Sequence, residues 1–143
     1  MARIFVSYSR SDKRRVSQLV GLLQADYDHK NVWWDQHFVG GDIWWQEILQ
    51  EIAVCDVFVY CLSPRSLGSP YCQAELEEAR RLRKPIVPVV IRRGTDVPDI
   101  LKQRHYLQLT GRINYRTTTA LRRSINKRAS EPRPDEPPIT PHP

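Results

Sequence analysis

Apolar residues recur along the chain with two spacings, one typical of strands and the other of helices. Residues 3–9 (RIFVSYS) and 56–63 (DVFVYCLS) are short apolar runs that predict strands. Over 11–27, 43–55 and 70–83, apolar residues return every three or four positions, which predicts helices. Because 56–63 is apolar on both faces, we expect it to be a central strand of a parallel sheet.

The remaining segments continue the alternation of strands and helices. They predict strands at 31–35, 84–92 and 105–109, a loop with one helical turn at 93–104, and a last helix at 113–129. Pro85 and Pro88 argue for an end or an edge of the fourth strand at those points. This order predicts an α/β protein: a flavodoxin-like three-layer sandwich with a five-stranded parallel sheet flanked by helices.

Folds of this kind bind ligands outside the carboxyl ends of their strands. In this chain we expect that edge to be formed by residues 8–10, 35–41 and 62–68 and by the loop after Ile91. Neither GxGxxG nor GxxxxGK[ST] occurs, and Gly40-Gly41 alone does not predict a phosphate-binding loop.

Glu75 is the residue that the apolar pattern does not explain. It lies in SPYCQAELEEA (69–79), where Ser69 and Pro70 predict a helix start. At about 100° per residue, Glu75 falls on the arc of Cys72 and Leu82, at the rim of the face that the helix buries. Structural explanations are an ion pair with an arginine such as Arg10 or Arg65, or a favourable position in the amino-terminal half of the helix.

Length and composition predict one domain and a tail. Residues 1–129 are long enough to bury a core, whereas 130–143 holds six of the eleven prolines and almost no apolar residues. We expect 130–143 to be a disordered linker or tail, with a further module beyond it.

Charge and cysteine content narrow the class of protein. The net charge is +6, and the basic stretch 112–128 fits nucleic acid, a solvated helix face or an anionic small molecule; we expect no nucleic-acid partner. Cys55, Cys61 and Cys72 lack paired spacing, which predicts reduced thiols, and no metal-ligand pattern occurs. Without a long apolar segment or a leader, we expect a cytoplasmic protein with no membrane contact.

Four segments in order resemble the sequence boxes of a Toll/interleukin-receptor (TIR) domain, of the kind found in bacterial proteins. They are RIFVSYSRSD, VWWDQHFVGGDIWWQEI, DVFVYCLSPRSLGSPYCQAELEEA and KPIVPVVI. The third contains S-P-Y-C-Q-A-E-L, similar to the family's usual S-x-W-C-x-x-E-L. The resemblance covers roughly residues 3 to 128.

The resemblance leaves three functions open. Enzymatic TIR domains cleave NAD⁺ at the nicotinamide–ribose bond and release ADP-ribose or a cyclic isomer, often in bacterial anti-phage defence and after self-assembly. Their catalytic glutamate follows an aromatic residue by four positions, which here gives Glu75 and Tyr71, with Tyr where the family has Trp. NAD⁺ is then a substrate, and no cofactor or metal is expected. The alternative is a non-catalytic TIR–TIR adaptor, and a third option is a related nucleoside or nucleotide glycosyl-transferring enzyme.

The same resemblance nominates further site residues. Substrate-binding candidates are Tyr8, Ser9, Arg10, Trp34, Asp35, Phe38 and Tyr71, and the candidate assembly loop is Phe38, Val39, Gly40 and Gly41. Each has another explanation: Arg10 meets a pyrophosphate or is a surface arginine, Asp35 bonds a ligand hydroxyl or caps its loop, and Phe38 stacks on a ligand, inserts into a neighbouring chain or is merely exposed. Trp44 is expected in the core, Trp45 partly exposed, and Cys72 a buried thiol rather than a nucleophile.

Overall fold

A computed structural model of the chain describes residues 2–34 and 42–131, with side chains in the second range from residue 45 onwards. Its five strands are β1 (Ile4–Ser7), β2 (Val32–Trp33), β3 (Val57–Leu62), β4 (Ile86–Val90) and β5 (Leu107–Gln108). Its six α-helices are α1 (Lys13–Tyr27), α2 (Asp42–Val54), α3 (Pro64–Leu67), α4 (Pro70–Arg81), α5 (Asp99–Lys102) and α6 (Thr119–Ser130). Two short 3-10 turns cover Arg10–Asp12 and His29–Asn31.

The strands form one parallel sheet in the order β2-β1-β3-β4-β5. The chain leaves β1 towards one edge and, from β3 onwards, proceeds towards the other. The carboxyl ends of β1 and β3 therefore flank the point where the strand order reverses, which is where open α/β sheets place their ligands. The predicted flavodoxin-like fold with a five-stranded parallel sheet is confirmed.

Two apolar layers cover the two faces of this sheet. Every residue of β3 is buried, and successive side chains enter opposite layers because strand side chains alternate. Val57, Val59 and Cys61 pack in the layer of α1 and α6, whereas Phe58, Tyr60 and Leu62 pack in the layer of α2 and α4.

Side-chain hydrogen bonds explain two differences from the predicted elements. The last helix begins at Thr119 rather than 113, because Asn114 and Thr117 exchange backbone-to-side-chain hydrogen bonds of 2.9 Å that hold a turn instead. The unpredicted helix α3 begins at a capping box in which Ser63 and Ser66 satisfy each other's backbone N–H groups.

The two prolines of the fourth strand lie where the sequence suggested an end and an edge. Pro85 directly precedes β4. Pro88 is paired with Tyr60 of β3, but β5 pairs only with Val89 and Val90. At Pro88, β4 therefore has a described strand partner on one side alone, which suits a residue without an N–H group.

Candidate active site

The amino-terminal end of helix α4 is fixed by a cap, and this sets the position of the candidate glutamate. Ser69 caps the helix by accepting a hydrogen bond of 3.3 Å from the Cys72 backbone N–H, and Pro70 fills the first helical position. The helix then buries Cys72, Glu75, Leu76 and Ala79 along one face. This face packs on the sheet, so the position of Glu75 follows from where the helix starts.

Glu75 is completely buried, with an exposed fraction of 0%. The Ser7 hydroxyl, at the carboxyl end of β1, donates a hydrogen bond of 2.8 Å to Glu75 Oε1. Ser7 is also fully buried, so the contact lies away from water. The two residues are 68 positions apart in sequence and meet because α4 packs against β1.

The burial of Glu75 agrees with its predicted place on the arc of Cys72 and Leu82. The side chain lies inside the layer between α4 and the sheet, deeper than the rim of the apolar face. Ser7, the partner that the structure reveals, was not among the candidate residues. The alternation of Phe5 and Ser7 on one side of β1 was the signal that could have found it, since Phe5 lies in the same apolar layer as α4.

Two buried groups share the surroundings of Glu75. Burial raises the pKa of the Cys72 thiol to about 11; the neighbouring hydroxyls of Ser69 and Ser7 oppose the increase and Glu75 adds to it. Burial, with smaller effects from Cys72 and Glu75, also raises the pKa of Tyr60. The Tyr60 hydroxyl is buried and has no hydrogen-bond partner in the described part of the chain. Glu75 therefore shares its buried layer with the Cys72 thiol and the Tyr60 hydroxyl, where electrostatic interactions are little screened by water.

Tyr71, one turn before Glu75, is not buried with it. Its side chain is 53% exposed, and its ring lies 6.1 Å from that of Trp45 on α2 in a tilted arrangement. Trp45 is half-buried and packs against the α2 and α4 layer, as the sequence suggested. The two rings form an aromatic surface next to the buried carboxylate.

The candidates that follow β1 lie mainly in the opposite layer. Tyr8 is buried in the layer of α1 and α6 and packs on Trp34, with ring centroids 6.0 Å apart. Trp34 is half-buried, and the Lys13 ammonium lies 5.9 Å from its ring centroid. Ser9 is half-buried and precedes the 3-10 turn, and Arg10 is exposed. The sheet therefore separates the Tyr8–Trp34 pair from Glu75 and Tyr71.

The remaining candidates lie outside the described residues. They are Asp35, Phe38, Val39, Gly40 and Gly41, and for Trp44 the side chain is not described either. The roles given to them stay predictions.

A polar cluster around Asp12, at the carboxyl ends of the strands, was not predicted from the sequence. Asp12 is buried and accepts hydrogen bonds from the Ser63 hydroxyl at 2.5 Å and from Arg92 Nε at 2.9 Å. These residues follow β1, β3 and β4, so the cluster ties the carboxyl ends of three neighbouring strands together. Its members are 51 and 80 residues from Asp12, and no local pattern connects them.

Several negative findings apply to the described ranges. Cys55, Cys61 and Cys72 are buried and free, in agreement with the predicted reduced thiols. No group of three or more His, Cys, Asp or Glu side chains in 2–34 and 42–131 could hold a metal ion. Among the helices of the described residues, none is both long and apolar enough to cross a membrane.

Comparisons with known proteins identify the fold family. The family model described as TIR domain matches residues 4–125. The TIR domain of a Toll-related receptor from Hydra magnipapillata is 18% identical, with a TM-score of 0.67 over 88% of this chain and 99% of the receptor domain. A prokaryotic SEFIR domain is 15% identical, with a TM-score of 0.56 over 92% of this chain and 100% of that one.

A third solved structure is that of a CMP N-glycosidase from Clostridium botulinum, which is 18% identical, with a TM-score of 0.54 over 74% of this chain and 87% of the glycosidase. At such identities these likenesses show the fold alone. A search among curated proteins gave no significant match. The family match spans most of the chain and agrees with the order of the strands, so this chain belongs to the TIR domain family.

Proposed function

We propose that this chain is a bacterial-type TIR enzyme that cleaves the nicotinamide–ribose bond of NAD⁺, with Glu75 as its catalytic residue. The observation that carries the proposal is the complete burial of Glu75 beside Ser7, at the carboxyl end of β1. A buried carboxylate is costly, and such departures from a purely apolar layer are typical of functional sites.

One carboxylate is sufficient for the proposed reaction. The bond from ribose C1′ to the pyridinium nitrogen breaks, its electron pair stays on nitrogen, and nicotinamide leaves as a neutral molecule without needing an acid. Positive charge develops on the ribose, and a glutamate in a dry site stabilises it more strongly than one in water. Water then bonds to C1′ and releases a proton, giving ADP-ribose, or a nitrogen of the adenine base bonds to C1′ without the addition of water, giving a form of cyclic ADP-ribose.

Burial of Glu75 also fits activation by self-assembly. A substrate cannot touch a side chain with no exposed surface, so catalysis requires the packing of α4 against the sheet to open. Contacts between chains are a source of the free energy for that change. The exposed aromatic surface of Tyr71 and Trp45 lies next to Glu75 and is suited to such contacts.

A non-catalytic adaptor is the second candidate function. The observation that favours it is the same exposed surface, since Tyr71 combines 53% exposure with a large aromatic ring. Glu75 would then have a structural role, as a buried hydrogen-bond acceptor for Ser7. A role in anti-phage defence belongs to the enzyme proposal and depends on the resemblance to bacterial TIR proteins. The N-glycosidic bond named for the Clostridium neighbour is of the kind proposed to be cut here.

The test is NAD⁺ cleavage over a wide range of protein concentration, with products separated by chromatography. The Glu75→Gln variant keeps the shape of the side chain and removes its charge, and we expect nicotinamide release to fall by at least about 100-fold, as is common when one transition-state stabilising group is lost. Glu77→Gln is the matched control, because Glu77 is an exposed glutamate on the same helix. Equal activity in wild type and Glu75→Gln would refute the catalytic assignment, and no activity in assembled wild-type protein would favour the adaptor.

A further inference from the structure

A cavity lies beyond the carboxyl ends of β1, β3 and β4. Its volume is about 360 Å³, and its lining includes Ser11, Asp12, Ser63, Arg65, Arg92 and Arg93. These residues come from the segments that follow three neighbouring strands, at the point where the strand order of the sheet reverses. Open α/β sheets bind their ligands at this place.

Positive charge dominates the lining of this cavity. Among the described residues that line it, Asp12 is the one acidic residue, and its carboxylate is already bound by the Ser63 hydroxyl and by Arg92 Nε. Arg65 and Arg93 are exposed and form no ion pair or side-chain hydrogen bond with any described residue. The three guanidinium groups therefore exceed the single carboxylate by two charges.

A fourth arginine, Arg15, adds positive charge close to the cavity. Arg15 Nε donates a hydrogen bond of 2.7 Å to the Ile91 carbonyl, and a terminal nitrogen donates to the carbonyls of Leu109 and Gly111. Burial lowers the pKa of Arg15; Arg92 lowers it further, and Asp12 opposes the change. Arg15 and Arg92 are therefore close enough to repel each other, and Asp12 is close enough to both to offset part of that repulsion.

We propose that this cavity binds a small molecule through its phosphate or pyrophosphate group, with Arg65, Arg92 and Arg93 as the charged contacts. A planar guanidinium presents paired N–H donors that match phosphate oxygens, which makes arginine well suited to this role. Arg92, which lines the cavity, contacts Asp12 through Nε, and no described residue accepts a hydrogen bond from its terminal nitrogens. Binding here requires no chemistry at Glu75, so the inference goes beyond the proposed function.

Isothermal titration of the purified chain with inorganic pyrophosphate tests this site. We expect the Arg65→Gln/Arg93→Gln double variant to weaken binding by at least about tenfold, since each substitution removes a charge-assisted contact. Arg123→Gln, an exposed arginine on α6, is the matched control and should change the affinity by less than about twofold. Neither substituted side chain has an ion pair or side-chain hydrogen bond with a described residue, so the double variant should fold normally, which circular dichroism checks.

The same titration distinguishes two possible ligands that could supply the phosphate group. If the cavity holds the pyrophosphate of a dinucleotide, ADP-ribose binds more tightly than inorganic pyrophosphate and the two compete. If it takes a separate phosphate compound, pyrophosphate binds without displacing ADP-ribose. The Glu75→Gln variant should bind pyrophosphate as wild type does, which separates this result from failure of the catalytic proposal. Absence of pyrophosphate binding, or equal binding by wild type and double variant, would overturn the inference.

Discussion

Replacing Ser7 by alanine removes the hydroxyl that donates to Glu75 and tests the central contact of the candidate site. Removing one partner of a buried hydrogen bond costs about 1–3 kcal/mol, because the group left behind pays for its lost contact with water. Both residues are fully buried, so we take the middle of this range. We expect Ser7→Ala to lower the free energy of unfolding by about 2 kcal/mol.

Urea unfolding followed by far-ultraviolet circular dichroism measures this change, provided that the dependence of the free energy on urea stays the same. Ser17→Ala is the matched control, because the Ser17 hydroxyl donates to the Arg14 carbonyl in an exposed part of α1. It should alter the free energy of unfolding by less than about 0.5 kcal/mol.

A double-mutant cycle then tests whether Ser7 acts through Glu75. Ser7→Ala and Glu75→Ala together should cost less than the sum of the single changes, by about 1 kcal/mol or more. If the proposed activity is present, Ser7→Ala should lower kcat with little change in KM, since Ser7 positions the carboxylate and does not bind NAD⁺. Additive effects, or a loss no larger than that of Ser17→Ala, would refute the reasoning.

Three further predictions concern other parts of the site. Ser69→Ala removes the cap of α4 and should cost about 1 kcal/mol in urea unfolding; unchanged stability would contradict the role of the cap. Asp12→Ala removes the ion-pair partner of Arg92 and should lower the free energy of unfolding by about 2 kcal/mol. This is below the roughly 3–5 kcal/mol typical of fully buried pairs, because Arg92 is half-exposed. A loss under about 0.5 kcal/mol would contradict a stabilising role of this pair. The Cys72 thiol should reduce stability as pH rises from its ordinary pKa of 9.0 towards its folded pKa of about 11, since only the unfolded chain releases the proton. The free energy of unfolding, measured at pH 8, 9.5 and 10.5, should fall less in Cys72→Ala than in wild type, by up to about 1.4 kcal/mol per pH unit.

The sequence predicted those features of the fold that repeat along the chain. Apolar spacing located the five strands and most helices, because each period reports which side chains face the core. It misplaced the start of α6, where hydrogen bonds between Asn114 and Thr117 compete with the helix, and it overlooked the four-residue helix α3. Single polar contacts decide such boundaries, and a periodic pattern does not record them.

The site was predicted in part, for a related reason. The position of Glu75 on the buried side of α4 followed from its spacing to Cys72, a relation within one helix. Its contact with Ser7, and the meeting of Asp12 with Arg92, join residues 68 and 80 positions apart. Those contacts depend on how the parallel strands are ordered, so they emerged only once the sheet was assembled.

The two outer strands of the sheet limit how copies of this chain can meet. β2 and β5 pair over two residues each, so both edges offer few unpaired backbone groups to a neighbouring chain. Short edge strands are a common protection against sheet extension and aggregation. Any ordered filament or oligomer of this chain should therefore be built through side-chain contacts of helices and loops, and its formation should leave the β content of the circular dichroism spectrum unchanged.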